Sequence, residues 1–166
     1  MNIWLEQTAF GTWVREGSSF WGYPTILFLH TVGMACVAGF AAIVDLRVLG
    51  VASDIPLSPI DRLFPIMWAG FWVNALSGTA LYIVDATTKF TNPAFAVKMT
   101  FVALGVVTVH LLRTRVIRHP AADTGPMPAG AKLLAATSLV CWLGAITAGR
   151  LMAYVGPVSG LETALR

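Results

Sequence analysis

Five polar side chains set into apolar stretches of this sequence could carry chemistry: His30, Asn74, Lys98, His110 and Arg150. From Pro24 to Val44 the chain runs twenty-one residues with one acidic or basic side chain, His30. Neutral imidazole is the commonest protein ligand for a metal, and an ionisable group inside an apolar helix is costly unless it is used or hydrogen-bonded. His30 therefore reads either as a haem or metal ligand or as a histidine bonded to a neighbouring helix. Lys98 and Arg150 read as binders of a carboxylate or another anion, Arg150 in bidentate fashion. The alternative for both is a long side chain reaching back to the membrane interface. Gly70, Asn74 and Gly78 recur at every fourth residue and give one helix a narrow face of small and polar groups. Such a face admits another helix backbone, or a flat ligand, at close range.

The elements that must position these residues are four apolar runs, at about 24–49, 63–84, 95–112 and 133–155. Some twenty apolar residues at 1.5 Å each span roughly 30 Å, the thickness of a bilayer's hydrocarbon core. Each run is expected to be a transmembrane helix, because backbone in lipid must bond to itself. Pro24 and Pro93 suit helix starts, and Gly50 and Gly156-Pro157 suit stops. The connections at 51–62 and 85–92 read as polar loops, and 113–132 as a basic loop with a TGPMPAG linker. Ahead of them, residues 2–16 place Ile3, Phe10, Trp13 and Val14 on one helical arc, which predicts a short interfacial helix spoiled by Glu6 and Gln7. The fold expected is all-α: one domain over 1–166, an integral membrane antiparallel four-helix bundle with that N-terminal helix lying in the interface.

Composition agrees with this class. The chain is 57% hydrophobic and 11% charged, against about 25% charged in soluble domains. Its net charge of +3 does not point to nucleic acid, since the basic residues cluster beside the apolar runs. Arg47, Arg62, Arg113, Arg115, Arg118 and Lys132 fall on one side; Arg15, Lys89 and Arg166, with Lys98 and Arg150 just inside, fall on the other. The more basic side is expected to be cytoplasmic, which puts both termini in the periplasm of a bacterial inner membrane. The N-terminus has no basic residue before Arg15 and does not read as a signal peptide. Cys36 and Cys141 behave as small hydrophobes in apolar runs, and no Cys-x-x-Cys-His motif exists for covalent haem.

Counting from the two helix-starting prolines puts His30 and Lys98 at nearly one level, roughly 8–9 Å below the outer start. Arg150 approaches that boundary on the fourth run. His110 lies about 18 Å deeper than Lys98 and is turned about 120° away, so it makes a poor partner for His30 on one iron; three residues before Arg113 it reads first as a satisfied interfacial histidine, and otherwise as a less favoured second ligand or a second site. Met34, one turn past His30, is a soft donor at helical spacing that also suits packing.

Two stretches resemble known families. FLHTVGMACVAGFAAIVDLRVLG, with His30, Gly33 and Arg47, is similar to the first helix of HemJ-type protoporphyrinogen oxidases and of CopD-like copper-resistance membrane domains. AVKMTFVALGVVTVHLLRTR, with Lys98 and His110, resembles the third helix of the HemJ type. The ending Asp45-Leu46-Arg47 resembles most closely a group of uncharacterised four-helix bacterial membrane proteins. The resemblance covers about residues 25–115 and implies a b-type haem held by His30, with Lys98 nearby; Arg150 has no counterpart in it.

The function expected is a small haem b membrane protein in electron transfer, its partners the lipid bilayer and a quinone or redox protein. A porphyrinogen-oxidising enzyme is the first alternative. The others are a copper-handling protein and a non-catalytic subunit of a larger membrane complex or homo-oligomer. Copper would want a cluster of soft donors, and Met34, Cys36 and Cys141 are scattered.

Overall fold

A computed structural model describes residues 3–16, 20–51, 53–119, 125–152 and 154. Among them there are helices and connections and no strand. Four of the helices are long and apolar enough to cross a membrane. The proposed stop at Gly156-Pro157, the terminal Arg166 and the side chains of Ile3, Arg15 and Glu16 lie outside what is described.

The N-terminal stretch is two helices, α1 (Ile3–Glu6) and α2 (Ala9–Glu16), rather than one. Thr8 makes the break. Its hydroxyl donates to the Leu5 carbonyl at 2.8 Å and accepts from the Gly11 N–H at 3.2 Å, closing one helix and opening the next. Val14 is buried, while Phe10 and Trp13 remain half exposed.

The long helices are α3 (Tyr23–Leu49), α4 (Phe64–Val84), α6 (Pro93–Leu112) and α7 (Ala129–Leu151). Gly50 ends α3 in the left-handed region, φ 103°, with its N–H on the Leu46 and Arg47 carbonyls. A 3₁₀ turn over Ser58–Leu63 fills much of the expected loop before α4, because Leu57 and Ile60 are buried and pull it inward. The expected loop at 85–92 is also partly helical: α5 spans Ala86–Thr91. Glu6 explains how so polar a segment coils, its carboxylate accepting from the Thr87 N–H at 2.7 Å. Asn92 then caps α6, its side chain accepting from the Ala94 N–H at 2.9 Å. Past Leu112 the third run does not stop at the basic residues but continues as a π-helical turn over Arg113–Ile117, burying Val116 and Ile117. Arg113 is anchored there by Asp61 at 2.6 Å and lies 4.6 Å from the Phe64 ring centroid, and Arg118 reaches the same Asp61 at 3.2 Å.

Packing divides the molecule lengthwise. The buried cluster joins Val37–Val48 of α3, Leu57–Met67, Val109–Ile117 and Ala131–Trp142, all towards the basic end. At α3–α4 the backbones touch: a Cβ on Gly33 would lie 2.6 Å from the Asn74 nitrogen and 2.8 Å from the Gly70 oxygen. The helices α3 and α4, α3 and α7, and α6 and α7 pack along one another, but α4 and α6 share no extended contact. Around the molecule the order is thus α4, α3, α7, α6, with a seam between its first and last members. Towards the other end the seam opens into a cleft.

Candidate functional site

The cleft, about 260 Å³, has His30 of α3 at its back wall. Its sides come from α4, with Phe71, Asn74 and Gly78, and from α6, with Phe95, Lys98 and Met99. Its lining is mostly apolar or aromatic. At the outer end Tyr82 and Phe95 stack across the seam, ring centroids 5.4 Å apart and planes 28° apart. A second cavity of about 420 Å³ shares His30, Gly78, Tyr82, Phe95 and Lys98, and adds Asp85, Lys89 and Arg150.

His30 is held from two sides. Its Nδ1 lies 3.0 Å from the Asn74 backbone carbonyl, which can only accept, and 3.3 Å from both the Asn74 Nδ2 and the Ser77 Oγ; the shortest of these contacts, to the carbonyl, assigns the proton to Nδ1. The Asn74 side chain returns the contact, its Nδ2–H donating to the His30 carbonyl at 2.8 Å. Gly78 supplies the space: a Cβ there would lie 2.9 Å from the ring's Cε1 and 3.2 Å from Nδ1. With Nδ1 so occupied, Nε2 presents its lone pair to Lys98, whose Nζ donates to it at 3.4 Å. An anchored Nδ1 and an unprotonated Nε2 are the arrangement that fixes a histidine for ligation once the lysine moves away.

Cations gather at the outer side. The stem of Lys98 lies on Gly149 of α7, with Cδ and Cε each 3.6 Å from where a Cβ would be. Arg150, next along α7, sets its guanidinium 5.5 Å from the Tyr154 ring centroid. Lys89 of α5 donates to the Leu81 carbonyl that ends α4's last turns. Burial pushes the Lys89 ammonium below its ordinary value, and the Asp85 carboxylate acts in the opposite sense. Three basic residues and one acid thus surround the mouth of an otherwise apolar cleft.

His30, Asn74 and Lys98 come together as one cluster, and Arg150 borders its outer cavity. His110 does not join them; it sits on the outward surface of α6, exposed. Met34 packs on the core, Cys36 is exposed, and Cys141 is buried. No group of three His, Cys, Asp or Glu side chains among the described residues could hold a metal ion by itself. Sequence reasoning missed Ser77, Tyr82, Phe95, Lys89 and Gly149. Tyr82 and Phe95 had a signal, since each lies two residues from one end of the connection between α4 and α6. Gly149 had none, because only the rotation of α7 brings it to Lys98.

Comparison with known proteins finds no matching family model, no matching curated protein and no matching solved structure.

Proposed function

We propose that this chain is a multi-pass protein of a bacterial inner membrane, an antiparallel four-helix bundle with both termini periplasmic, that holds a b-type haem in the His30 cleft and passes electrons. The observation that carries the reading is His30 itself: Nδ1 tied to the Asn74 carbonyl, and Nε2 turned to Lys98 in an aromatic-walled cleft with basic residues at its mouth. A flat apolar ring with anionic substituents matches that distribution of surfaces. His30 would be the axial ligand. Lys98, whose ammonium now sits on the lone pair, would move outward and join Lys89 and Arg150 as neutralising partners of the propionates. A bound haem supplies one-electron chemistry; the chain's part is to orient the ring, balance its carboxylates and exclude water. His110 is not a second ligand in this reading.

Support for the membrane comes from the surface. Phe28, Ile43, Ile66, Trp72, Leu76, Val107, Leu133 and Val140 are all exposed on the four long helices, which suits lipid. The basic residues at the packed end suit the cytoplasmic side.

One contact favours a second reading. The Lys98 Nζ–His30 Nε2 pair can hold and pass a proton without iron, which suits a lipid-soluble redox substrate such as a quinone or a porphyrinogen.

Hemin titration of the purified protein tests the first reading. Wild type and His110→Ala should both develop a Soret band that saturates, and His30→Ala should not. A wild-type protein that takes up no hemin refutes haem binding and leaves the proton-transfer pair as the working function.

A further inference from the structure

Beyond the cleft, the packed end holds a second polar cluster, on the buried faces of α3 and α7. These faces are rich in alanine, with Ala38, Ala41, Ala135 and Ala145 all buried. Among them Asp45 is 0% exposed, and neither of its carboxyl oxygens has a hydrogen-bond partner in the protein. Ser138 of α7, also 0% exposed, faces the carboxyl with an unpartnered hydroxyl.

An ionised carboxylate in such a place needs a cation or several donors to offset its lost hydration. No basic side chain is a hydrogen-bond partner of either Asp45 oxygen among the described residues. Arg47 donates its Nε to the Ile55 carbonyl, and Arg113 and Arg118 hold Asp61. Lys132 borders a separate cavity with Arg47. The neighbouring helix α4 carries no charged residue. On α6, Lys98 is at the far cleft and His110 is exposed. The titratable group facing Asp45 from α7 is the buried thiol of Cys141, which brings no positive charge.

We propose that Asp45 and Ser138 form a proton-binding site in the α3–α7 interface, with Asp45 held there as the neutral acid. The acid O–H is a donor for Ser138 Oγ, so one proton gives both buried groups a partner. Four residues, about 6 Å, separate Asp45 from the end of α3 at Leu49, so the proton exchanges with the basic side of the molecule. His30 is fifteen residues away, about 22 Å along the same helix, and the site stands whether or not the cleft holds haem. Loss of the proton would leave a bare charge between two close-packed helices and part them.

Infrared spectroscopy of the full-length protein in liposomes tests this. Exposed carboxyls ionise at about pH 4. At pH 6 the wild type should therefore keep a protonated-carboxyl C=O stretch that Asp45→Asn lacks. Ser138→Ala should keep that band but shift it, because its hydrogen bond changes. Absence of a protonated-carboxyl band in folded wild type overturns the proposal. A carboxylate band assigned to Asp45 that responds to added sodium or potassium overturns it too, in favour of a cation site. Should Asp45→Asn fail to fold, the Ser138→Ala shift and its response to deuteration decide: an unmoved band is not from Asp45, and the proposal falls.

Discussion

Gly78 is the position at which a single methyl group should separate site from scaffold. In Gly78→Ala the new Cβ starts 2.9 Å from His30 Cε1 and 3.2 Å from Nδ1. Ordinary carbon contacts begin near 3.5 Å, so the ring must retreat by about 0.6 Å. Its Nδ1–H bond to the Asn74 carbonyl is 3.0 Å. A displacement of that size stretches or misaligns the bond towards the limit at which it stops contributing. Losing it costs about 0.5–1.5 kcal/mol, while alanine in place of glycine inside a helix returns roughly 0.5–1 kcal/mol. Stability should therefore change little. Ligation should not be so forgiving, because loss of the group that orients a ligating histidine typically weakens binding about 10–100-fold. Hemin affinity, read by Soret titration beside a thermal melt, should fall by that order with the melt nearly unmoved. Gly39→Ala is the control, since nothing lies within 4 Å of the Cβ position there. A folded Gly78→Ala protein that binds hemin with wild-type affinity and spectrum would refute the assignment of His30 as a ligand oriented by Asn74.

Three other outcomes are expected. Lys98→Ala should weaken hemin retention less than His30→Ala does, because Lys89 and Arg150 still border the outer cavity; total loss in Lys98→Ala with retention in His30→Ala inverts the two roles. Gly33→Ala puts a methyl against the α4 backbone rather than a side chain, and should destabilise by about 1–3 kcal/mol in detergent-titrated unfolding; an unchanged midpoint means α3 and α4 are not in backbone contact. Asp61→Asn frees Arg113 and Arg118 and should cost about 1 kcal/mol, less at 1 M salt than at 0.1 M, and an equal cost at both would mean the effect is not ionic.

What the sequence made legible was what runs along a helix axis. The four apolar runs are read from composition, and the shared level of His30 and Lys98 from counting residues after Pro24 and Pro93. That counting needs no knowledge of rotation, and the structure has the two side chains 3.4 Å apart. Rotation and order around the bundle were not legible, because the four runs are apolar on nearly every face. The seam between α4 and α6 could not be seen for that reason. Asp45 was visible only as part of Asp45-Leu46-Arg47, a helix-end pattern that would suit the interface. Its burial depends on Ser138 and Cys141 of a helix more than ninety residues away. The helix α5 was missed because its stabilising carboxylate, Glu6, comes from another element.

The seam between α4 and α6 also decides from which phase a ligand arrives. The outer end is spanned by the Tyr82–Phe95 stack and bordered by α5, which Glu6 ties to the N-terminal helices. In a bilayer the long open side would face hydrocarbon, so a ligand would load sideways, by partitioning into lipid first. Its effective concentration is then a mole fraction in the membrane rather than a molarity in water. Apparent affinities should rise as lipid is diluted out at fixed ligand, and detergent micelles and liposomes should agree only when compared on that scale.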